Sequence, residues 1–300
     1  MELRVLKNFL VIAQEGNITT AASQLHLSQP TLSKQISNLE KELGETLLER
    51  HSHSVSLTHA GALLYERAKS IVELSDQAEQ EIRGLRNDIQ GDVYIGAAET
   101  REMRYVNQAL KKLIDEYPLV KIHLFSGNAA DLCAHIDNGT LDVALFSTPF
   151  NLDRYDYLML PEKNYWALYT RFDNPLSEKE VIVPQDLVGE PLIVSRQATR
   201  RVRSNEFLAW FGEGLKEMNF IADFNLPFNA ALMAEEGIGS LITWNDIVEV
   251  GEASPLVMRP LEPRIESELA IAWRKNATLS YAAEKLVGLL HDVLAERSSS

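Results

Sequence analysis

The sequence predicts an α/β protein that starts with an all-helical head and continues through one long helix into a larger α/β region. Three patterns in its 300 residues indicate this. Apolar residues recur at helical spacing over residues 1–44, a heptad repeat occupies 59–89, and short apolar strands alternate with helices from Gly91 onward. Such alternation is typical of a mainly parallel sheet that is covered on both faces.

The head is predicted to contain three helices. A first amphipathic helix ends at Gly16, and Ala21 and Leu25 then share one face of a second, short helix. Ser28 is a good N-cap for the third helix, and Pro30 lies in its first turn, where a missing N–H does no harm. The apolar face of the third helix consists of Leu32, Ile36, Leu39 and Leu43. Two short helices joined by a tight turn form a helix-turn-helix.

The second helix of a helix-turn-helix places its first residues in the major groove of DNA. The polar residues of that leading face are Gln29, Thr31, Ser33 and Lys34. Glutamine suits adenine edges, lysine suits guanine or phosphate, and hydroxyls suit either. We therefore expect this face to recognise DNA. The alternative is a helical hairpin whose polar face is only exposed to solvent. The residues at 51–58 alternate polar and apolar and are predicted to form a short two-stranded wing.

Residues 59–89 are predicted to form one long helix with a coiled-coil seam. Its two rows are Leu64, Ile71, Ala78 and Leu85, and Ala68, Ser75, Ile82 and Ile89. Alternating spacings of four and three are typical of such a seam. We expect it to mediate a homodimer, because the apolar stripe would otherwise be exposed. A helix packed on its own domain is the alternative.

The region after Gly91 is predicted to contain two sets of strands and helices. The first has strands at 93–96, 120–125 and 141–146 and helices at 103–117 and 129–138. The second has strands at 165–169, 192–195, 219–224 and 240–243 and helices at 207–218 and 228–236. A strand at 268–273 and a helix at 280–297 end the chain.

A ligand cleft is expected beyond the carboxyl ends of these strands, where the loops of such sheets converge. The candidate residues are Thr100, Arg101, Ser126, Asn128, Ser147, Ser195, Gln197 and Thr243. Hydroxyls, amides and free N–H groups at helix starts suit a small polar or anionic effector. Taken singly, each hydroxyl or amide is also typical of an N-cap or a turn. Arg101 suits a carboxylate but equally a surface position.

The charge distribution qualifies the DNA hypothesis. The chain carries 29 basic and 43 acidic residues, for a net charge of −14. Residues 1–60 contain five Lys or Arg and six Glu, so the head is nearly neutral, although a DNA-binding domain is expected to be basic. Most of these glutamates lie away from 28–34, and the amino end of a helix itself attracts phosphate, so placement resolves the conflict.

Catalytic, metal and membrane functions find little support in the sequence. It contains no Gly-x-Ser-x-Gly elbow and no His-Glu-x-x-His helix, and Gly237-Ile238-Gly239 is too short for a dinucleotide fingerprint. We expect no enzyme activity, no cofactor and no metal. No apolar stretch is long enough to span a bilayer, and no export signal follows Met1. With Cys133 as the single cysteine, a cytoplasmic location is expected.

Several short segments near the amino end form a specific pattern. They are AASQL at 21–25, SQPTLSKQI at 28–36, LE at 39–40, LG at 43–44, LER at 48–50 and LTHAG at 57–61. On these segments the sequence resembles the LysR-type transcriptional regulators. The resemblance implies a winged helix-turn-helix at 1–58, a linker helix at 59–89 and an effector-binding domain at 90–300. That domain would have two Rossmann-like lobes of the periplasmic-binding-protein type, lobe I at 90–163 and 267–300 and lobe II at 164–266.

The resemblance also implies roles for single residues and for the assembly. Thr19 and Thr20 would lie near the DNA backbone, and Arg50 near the minor groove or phosphates. Thr100 would contact the effector. Dimers formed through 59–89 would pair into tetramers and bind an interrupted palindrome in promoter DNA. The effector would change DNA bending and the recruitment of RNA polymerase by its differential affinity for two arrangements.

The sequence departs from the family pattern at the DNA interface. Lys34 stands where arginine is usual, and the usually basic wing carries His51 and His53. Phosphate contacts from these histidines and solvated loop histidines remain alternatives. A solute-binding protein, or an enzyme with a helical oligomerisation head, is the alternative function. Binding to upstream intergenic DNA would discriminate, since neither alternative predicts it.

Overall fold

The computed structural model describes residues 1–51, 54–84, 89–147, 153–200, 206–251 and 254–298. The chain divides into two compact units, Met1–Arg83 and Gly84–Ser300. Among the residues so described, no helix has the length and apolar character needed to cross a bilayer.

The first unit contains the three predicted head helices. Its elements are α1 (Leu3–Glu15), α2 (Ile18–Gln24), α3 (Gln29–Leu43), β1 (Leu48–Arg50), β2 (Val55–Leu57) and α4 (His59–Gly84). Both α1 and α3 end at a left-handed glycine, Gly16 with φ 62° and Gly44 with φ 72°. Glycine adopts this conformation without the steric cost of a Cβ, which explains why the helices end there.

The head core is built from the apolar faces of its helices. Its buried centre includes Phe9, Ile12, Ala21, Leu32, Ile36 and Leu39. One polar pair lies in the same interface: Asn8 is 4% exposed, and its Nδ2 donates to Gln35 Oε1 at 2.7 Å. A buried amide with a partner costs little, whereas an unpaired one would be expensive, so this pair fixes how α1 packs on α3.

The wing differs from the prediction. Strand β1 pairs antiparallel with β2, with Leu48 opposite Leu57. The first strand therefore precedes His51, which lies in the turn and donates its N–H to the Ser54 carbonyl at 2.9 Å. The reason is burial: Leu47 and Leu48 belong to the head core and anchor the first strand. The alternation seen in the sequence reflects the second strand alone.

The predicted seam of α4 is only partly free. Ala68 is fully buried within this unit, so it is not available to a second copy, whereas Leu64 is half-buried against the head core. The large apolar side chains that α4 leaves exposed are the predicted seam residue Ile71, at 41%, and two residues outside the predicted seam, Leu63 at 60% and Leu74 at 46%. The assignment of Ala68 to a dimer seam was wrong, because packing within its own unit already covers it, whereas Leu64 stays a predicted seam residue.

The other predicted seam positions fall in three places. Ser75 and Ala78 lie on α4, and Ile89 packs against a core of the second unit. Leu85 and the side chain of Ile82 lie outside the described residues.

The second unit contains the predicted alternation with some additions. Its strands are β3 (Gly91–Ala97), β4 (Val120–Ser126), β5 (Val143–Ser147), β6 (Tyr155–Arg171), β7 (Pro191–Ser195), β8 (Asn219–Phe224), β9 (Ser240–Trp244), β10 (Leu256–Pro260) and β11 (Glu266–Arg274). Its helices are α5 (Met103–Glu116), α6 (Ala129–Asp137), α7 (Arg196–Arg200), α8 (Glu206–Trp210), α9 (Pro227–Glu235) and α10 (Tyr281–Ser298). Short 3₁₀ turns occupy Pro175–Glu178, Pro184–Leu187 and Gly212–Glu217.

Three differences from the predicted elements stand out. The predicted helix at 207–218 is α8 followed by a 3₁₀ turn, because Gly212 adopts φ 54° and interrupts it. Helix α7 and strand β10 were not predicted, since both are short and carry no periodicity. The predicted strand at 165–169 is the last part of the 17-residue β6.

The strands of this unit form one sheet in the order β4-β3-β5-β11-β6-β9-β7-β8, with β10 on β6. Parallel pairing holds within β4-β3-β5 and within β8-β7-β9, as predicted. The crossing strands β6, β10 and β11 pair antiparallel, so the sheet is mixed rather than mainly parallel. Residues 155–165 of β6 pair with β11 and residues 166–169 pair with β9. The chain thus passes between two Rossmann-like halves, and the predicted fold class is confirmed.

Each half of the sheet is covered by its own helices. One core packs β3 and β5 against α5 and α10, around Val93, Leu113 and Leu286. The other half has buried clusters on both sheet faces, one around Phe207 and one around Ala230. Helices on both faces leave the carboxyl ends of the strands as the open edge.

Candidate functional site

The amino end of α3 is exposed and capped in the way the sequence predicted. Ser28 Oγ accepts the Thr31 N–H at 3.3 Å and lies 2.7 Å from Thr31 Oγ1. Gln29, Pro30, Thr31 and Lys34 are exposed, and Ser33 is half-buried. The remaining free N–H groups of the first turn and the helix dipole favour an anion such as a phosphate.

The amino end of α2 is capped by Asn17, whose Oδ1 accepts the N–H groups of Thr19 at 2.8 Å and Thr20 at 3.1 Å. Both threonine side chains are exposed. His26 lies in the turn before α3 with a left-handed φ of 53°. The cap and the turn together set the angle at which α3 leaves α2, and so position its leading face.

Arg50 connects the wing to α3. Its Nη1 donates to Ser33 Oγ at 3.0 Å and its Nη2 approaches Ser37 Oγ at 3.4 Å. This places Arg50 beside the predicted DNA-contacting residue Ser33. The His51 ring lies 3.0 Å from Ser56 Oγ through Nε2, and His53 lies outside the described residues.

Two glutamates of the head form hydrogen bonds or an ion pair within the first unit. Glu40 Oε1 accepts the N–H groups of Leu47 at 2.9 Å and Leu48 at 3.2 Å, which holds the approach to the wing. Glu42 pairs with the amino group of Met1. These carboxylates belong to the middle and end of α3 rather than its leading turn, which agrees with the placement argument for a nearly neutral head.

The second unit has a cavity of about 150 Å³ at the carboxyl ends of its parallel strands. Five predicted effector residues line it: Asn128, Ser147, Ser195, Gln197 and Thr243. They follow or end β4, β5, β7 and β9, so strands from both halves of the sheet converge there. Asn128 is also the N-cap of α6, since its Oδ1 accepts the N–H groups of Ala130 and Asp131.

The other three predicted residues lie elsewhere. Thr100, Arg101 and Ser126 line a neighbouring, more open depression rather than the cavity. The Thr100 hydroxyl bonds to the Glu102 carboxylate and accepts Asn164 Nδ2 at 2.9 Å. A hydroxyl has one donor and two acceptor sites, and these two bonds use the donor and one acceptor of Thr100. Thr100 therefore holds β6 beside the loop that follows β3.

Sequence reasoning missed the aromatic wall of the cavity. Trp166, Phe207 and Trp244 line it together with Phe224. The Trp166 ring centroid lies 4.5 Å from that of Phe207 and 6.4 Å from that of Trp244. Trp244 directly follows Thr243 at a strand end and was therefore within reach of the strand-end rule. Trp166 lies within β6 and Phe207 on α8, and no local signal marks either.

The wall is held in place from behind. The Tyr169 hydroxyl donates to the Trp244 carbonyl oxygen at 3.0 Å. Burial raises the pKa of Tyr169 above its usual value, so the hydroxyl remains a neutral donor. Trp244 Nε1 is buried and has no hydrogen-bond acceptor within the described ranges.

The charged groups of the cavity are carboxylates. Glu99, Glu206 and Glu266 line it, and the described lining residues include no Lys, Arg or His. Lys163 Nζ lies 3.4 Å from Glu266 Oε2 and offsets that charge. For Glu99 and Glu206 no ion pair is present within the described residues. The expectation of an anionic effector therefore finds no basic partner among the lining residues that are described.

Two comparisons of the sequence with known families agree with this geometry. Residues 3–62 match the family described as "Bacterial regulatory helix-turn-helix protein, lysR family". Residues 86–295 match the family described as "LysR substrate binding domain".

Named relatives and solved structures extend the likeness to nearly the whole chain. The HTH-type transcriptional regulator BudR of Raoultella terrigena is 27% identical over 278 residues, covering 92% of this chain and 95% of that protein. The crystal structure of CbnR, a LysR family transcriptional regulator, superposes with a TM-score of 0.75 at 20% identity, covering 98% of this chain and 99% of that one. Full-length CbnR in complex with its target DNA gives a TM-score of 0.72 at 20% identity, covering 98% and 100%.

The fold and the two family matches define a DNA-binding transcriptional regulator with a separate effector-binding domain, and not an enzyme. The chain belongs to the LysR family of bacterial regulators. The predicted family, fold class and general function are thereby confirmed, whereas the individual contact residues stay predictions. Among described residues, no group of His, Cys, Asp or Glu could hold a metal ion.

Proposed function

We propose that this regulator reads base sequence in double-stranded promoter DNA through the leading face of α3. The observation that carries the proposal is the capped, exposed amino end of α3, with Gln29, Thr31 and Lys34 open to solvent. Gln29 suits an adenine edge and Lys34 a guanine or phosphate. Thr19 and Thr20 would bind backbone phosphates, and Arg50 would reach the minor groove or phosphates when DNA displaces its bonds to α3.

The regulator is proposed to act as a homodimer formed through the exposed stripe of α4. Leu63, Ile71 and Leu74 supply apolar area that a single copy leaves in water. A two-fold dimer presents two copies of α3 and so requires an interrupted palindrome. We further propose that two dimers pair into a tetramer through the second unit. The protein is proposed to act in the cytoplasm.

The cavity of the second unit is proposed to bind a small polar effector. Its walls come from both halves of the sheet, so a bound molecule would contact both halves at once. The effector shifts the balance between two arrangements only by its differential affinity for them. The proposed output is a change in DNA bending and in the recruitment of RNA polymerase.

DNA recognition is tested by fluorescence anisotropy on the intergenic DNA upstream of the gene, at two or more salt concentrations. Lys34→Ala should weaken binding and lower the salt slope by about one, because one phosphate or base contact is lost. Lys41→Ala is the matched control, since Lys41 is an exposed lysine in the last turn of the same helix. Gln29→Ala should reduce the preference for specific over random DNA by about 1–3 kcal/mol.

Equal effects of Lys34→Ala and Lys41→Ala would show that α3 acts only through its overall charge. Specific binding retained by a Gln29→Ala/Lys34→Ala double variant would place the contact face elsewhere. A complete lack of binding to the upstream DNA would contradict promoter recognition at that site.

A further inference from the structure

The cavity of the second unit combines aromatic side chains with carboxylates. Trp166, Phe207 and Trp244 form a contiguous wall whose rings are in contact. Phe207 is 3% exposed and belongs to a buried core cluster, against which the half-buried Trp166 packs. A cavity of about 150 Å³ accommodates a ligand of roughly benzene's size.

Two of the carboxylates that line the cavity are Glu99 and Glu206. Glu99 follows β3, whereas Glu206 begins α8, so the two come from opposite halves of the sheet and meet at one cavity. Neither has an ion-pair partner among the described residues, in contrast to Glu266 with Lys163. The remaining polar groups of the lining are neutral hydroxyls and amides, which accept as well as donate.

We propose that the effector of this cavity is a small organic cation, bound by the carboxylates of Glu99 and Glu206 and by the faces of Trp166, Phe207 and Trp244. The inference rests on the proposed function of the cavity and adds the chemical class of its ligand. Aromatic faces are the negative side of the ring quadrupole and attract ammonium and guanidinium groups. The same faces displace water, which strengthens attraction to a carboxylate. The described lining offers an anion neutral hydroxyl, amide and indole N–H donors but no basic side chain.

A charge series of matched shape separates charge from size. Choline, 3,3-dimethylbutanol and 3,3-dimethylbutyrate share a branched head and differ in charge, from cation to neutral to anion. Benzylamine, benzyl alcohol and benzoate form a second series with a ring. Binding is measured by isothermal titration on the full-length protein without DNA. We expect the cation of at least one series to bind about tenfold or more tightly than its neutral and anionic counterparts, the range of combined cation–π and ion-pair contacts.

Variants assign the preference to the named residues. Glu99→Gln and Glu206→Gln should each weaken the cation about three- to tenfold and leave the neutral member unchanged, because amide and carboxylate have the same shape. Glu180→Gln is the matched control, since it removes the same charge from an exposed position outside the cavity. Trp166→Leu keeps an apolar wall without a ring face and should weaken the cation more than the neutral member.

Several results would overturn the proposal. One is a neutral or anionic member that binds as well as its cation in both series. Another is the absence of binding by either cation at millimolar concentration. A third is a loss of cation binding in Glu180→Gln that equals the loss in Glu99→Gln. A preference for the anions would contradict the proposal directly.

The ligand class and the regulatory role can fail separately. A cation that binds with the expected preference but leaves the DNA affinity and footprint unchanged would support the ligand class and contradict the effector role. An anion that binds and changes the footprint would support the effector role and contradict the cation.

Discussion

Replacing Gly61 by alanine offers a test in which two physical effects predict opposite signs. Gly61 lies in the first turn of α4, is buried, and packs on the backbone of Leu47. A Cβ there would lie 2.0 Å from the Leu47 carbonyl oxygen and 3.2 Å from Leu57 Cδ2. The same Leu47 oxygen accepts the Thr58 N–H at 3.0 Å, and Thr58 Oγ1 accepts the Gly61 N–H at 2.9 Å. The close approach therefore belongs to the joint between wing and α4.

The expected magnitude follows from three contributions. Helix propensity alone would stabilise Gly61→Ala by about 1 kcal/mol. Forcing a methyl into a closed site costs about 1–3 kcal/mol, and loss of the Thr58 to Leu47 hydrogen bond costs about 1 kcal/mol more. The net effect is a destabilisation of the head by about 2 kcal/mol, or about thirtyfold in its opening equilibrium.

Gly288 supplies the matched control. It lies in α10, is exposed, and a Cβ there meets nothing within 4 Å. Gly288→Ala should stabilise α10 by about 0.5–1 kcal/mol through helix propensity. Hydrogen exchange read by mass spectrometry on the full-length protein reports both sites, because peptides from 1–83 and from 281–298 are separate. Head peptides of Gly61→Ala that exchange as slowly as wild type, or more slowly, would refute the close approach.

Three further changes test other parts of the structure. Asn17→Ala should destabilise α2 by about 1 kcal/mol, because Asn17 caps the N–H groups of Thr19 and Thr20, whereas Asn17→Asp retains the cap; faster exchange of α2 peptides in the alanine variant only is the expected result. Burial and a 2.7 Å hydrogen bond to Asp137 raise the pKa of Tyr155, so the stability that Tyr155 contributes is present below pH 10 and is lost as the pH rises above that value. Tyr155→Phe should lower the free energy of unfolding at pH 7 by about 1 kcal/mol and reduce this alkaline loss of stability, both measured by urea denaturation followed by tryptophan fluorescence. An unchanged dependence of stability on pH would contradict the assignment. Leu74→Lys should shift sedimentation toward the monomer at micromolar concentration, since Leu74 is in the proposed dimer stripe and is 46% exposed; an unchanged oligomer would remove α4 as the interface.

The head could be predicted from sequence because its determinants are local. Ser28 caps the helix that it precedes, Gly16 and Gly44 end the helices that they follow, and each signal acts within one turn. The leading face of α3 is fixed by the same periodicity that buries Leu32 and Ile36, so its exposure followed directly. Strand and helix order in the second unit was predictable for the same reason.

Local signals failed wherever distant segments compete for one surface. The wing begins at Leu48, not after His51, because the head core takes up Leu47 and Leu48. Ala68 fits the heptad spacing and is nevertheless fully buried on its own unit, and Leu64 is half-buried there. The spacing of apolar residues predicts which face of a helix is apolar, but it does not predict which part of the protein packs on that face.

What the sequence alone determined is therefore the head, the exposed leading face of α3 and the order of the α/β elements. The tertiary structure decided which side chains share the cavity. Trp166 from the middle of β6, Phe207 from α8 and Glu99 after β3 are far apart in the chain, and only the crossing of β6 between the two halves of the sheet brings them together. Proximity of that kind arises from long-range strand pairing, which no window of neighbouring residues encodes.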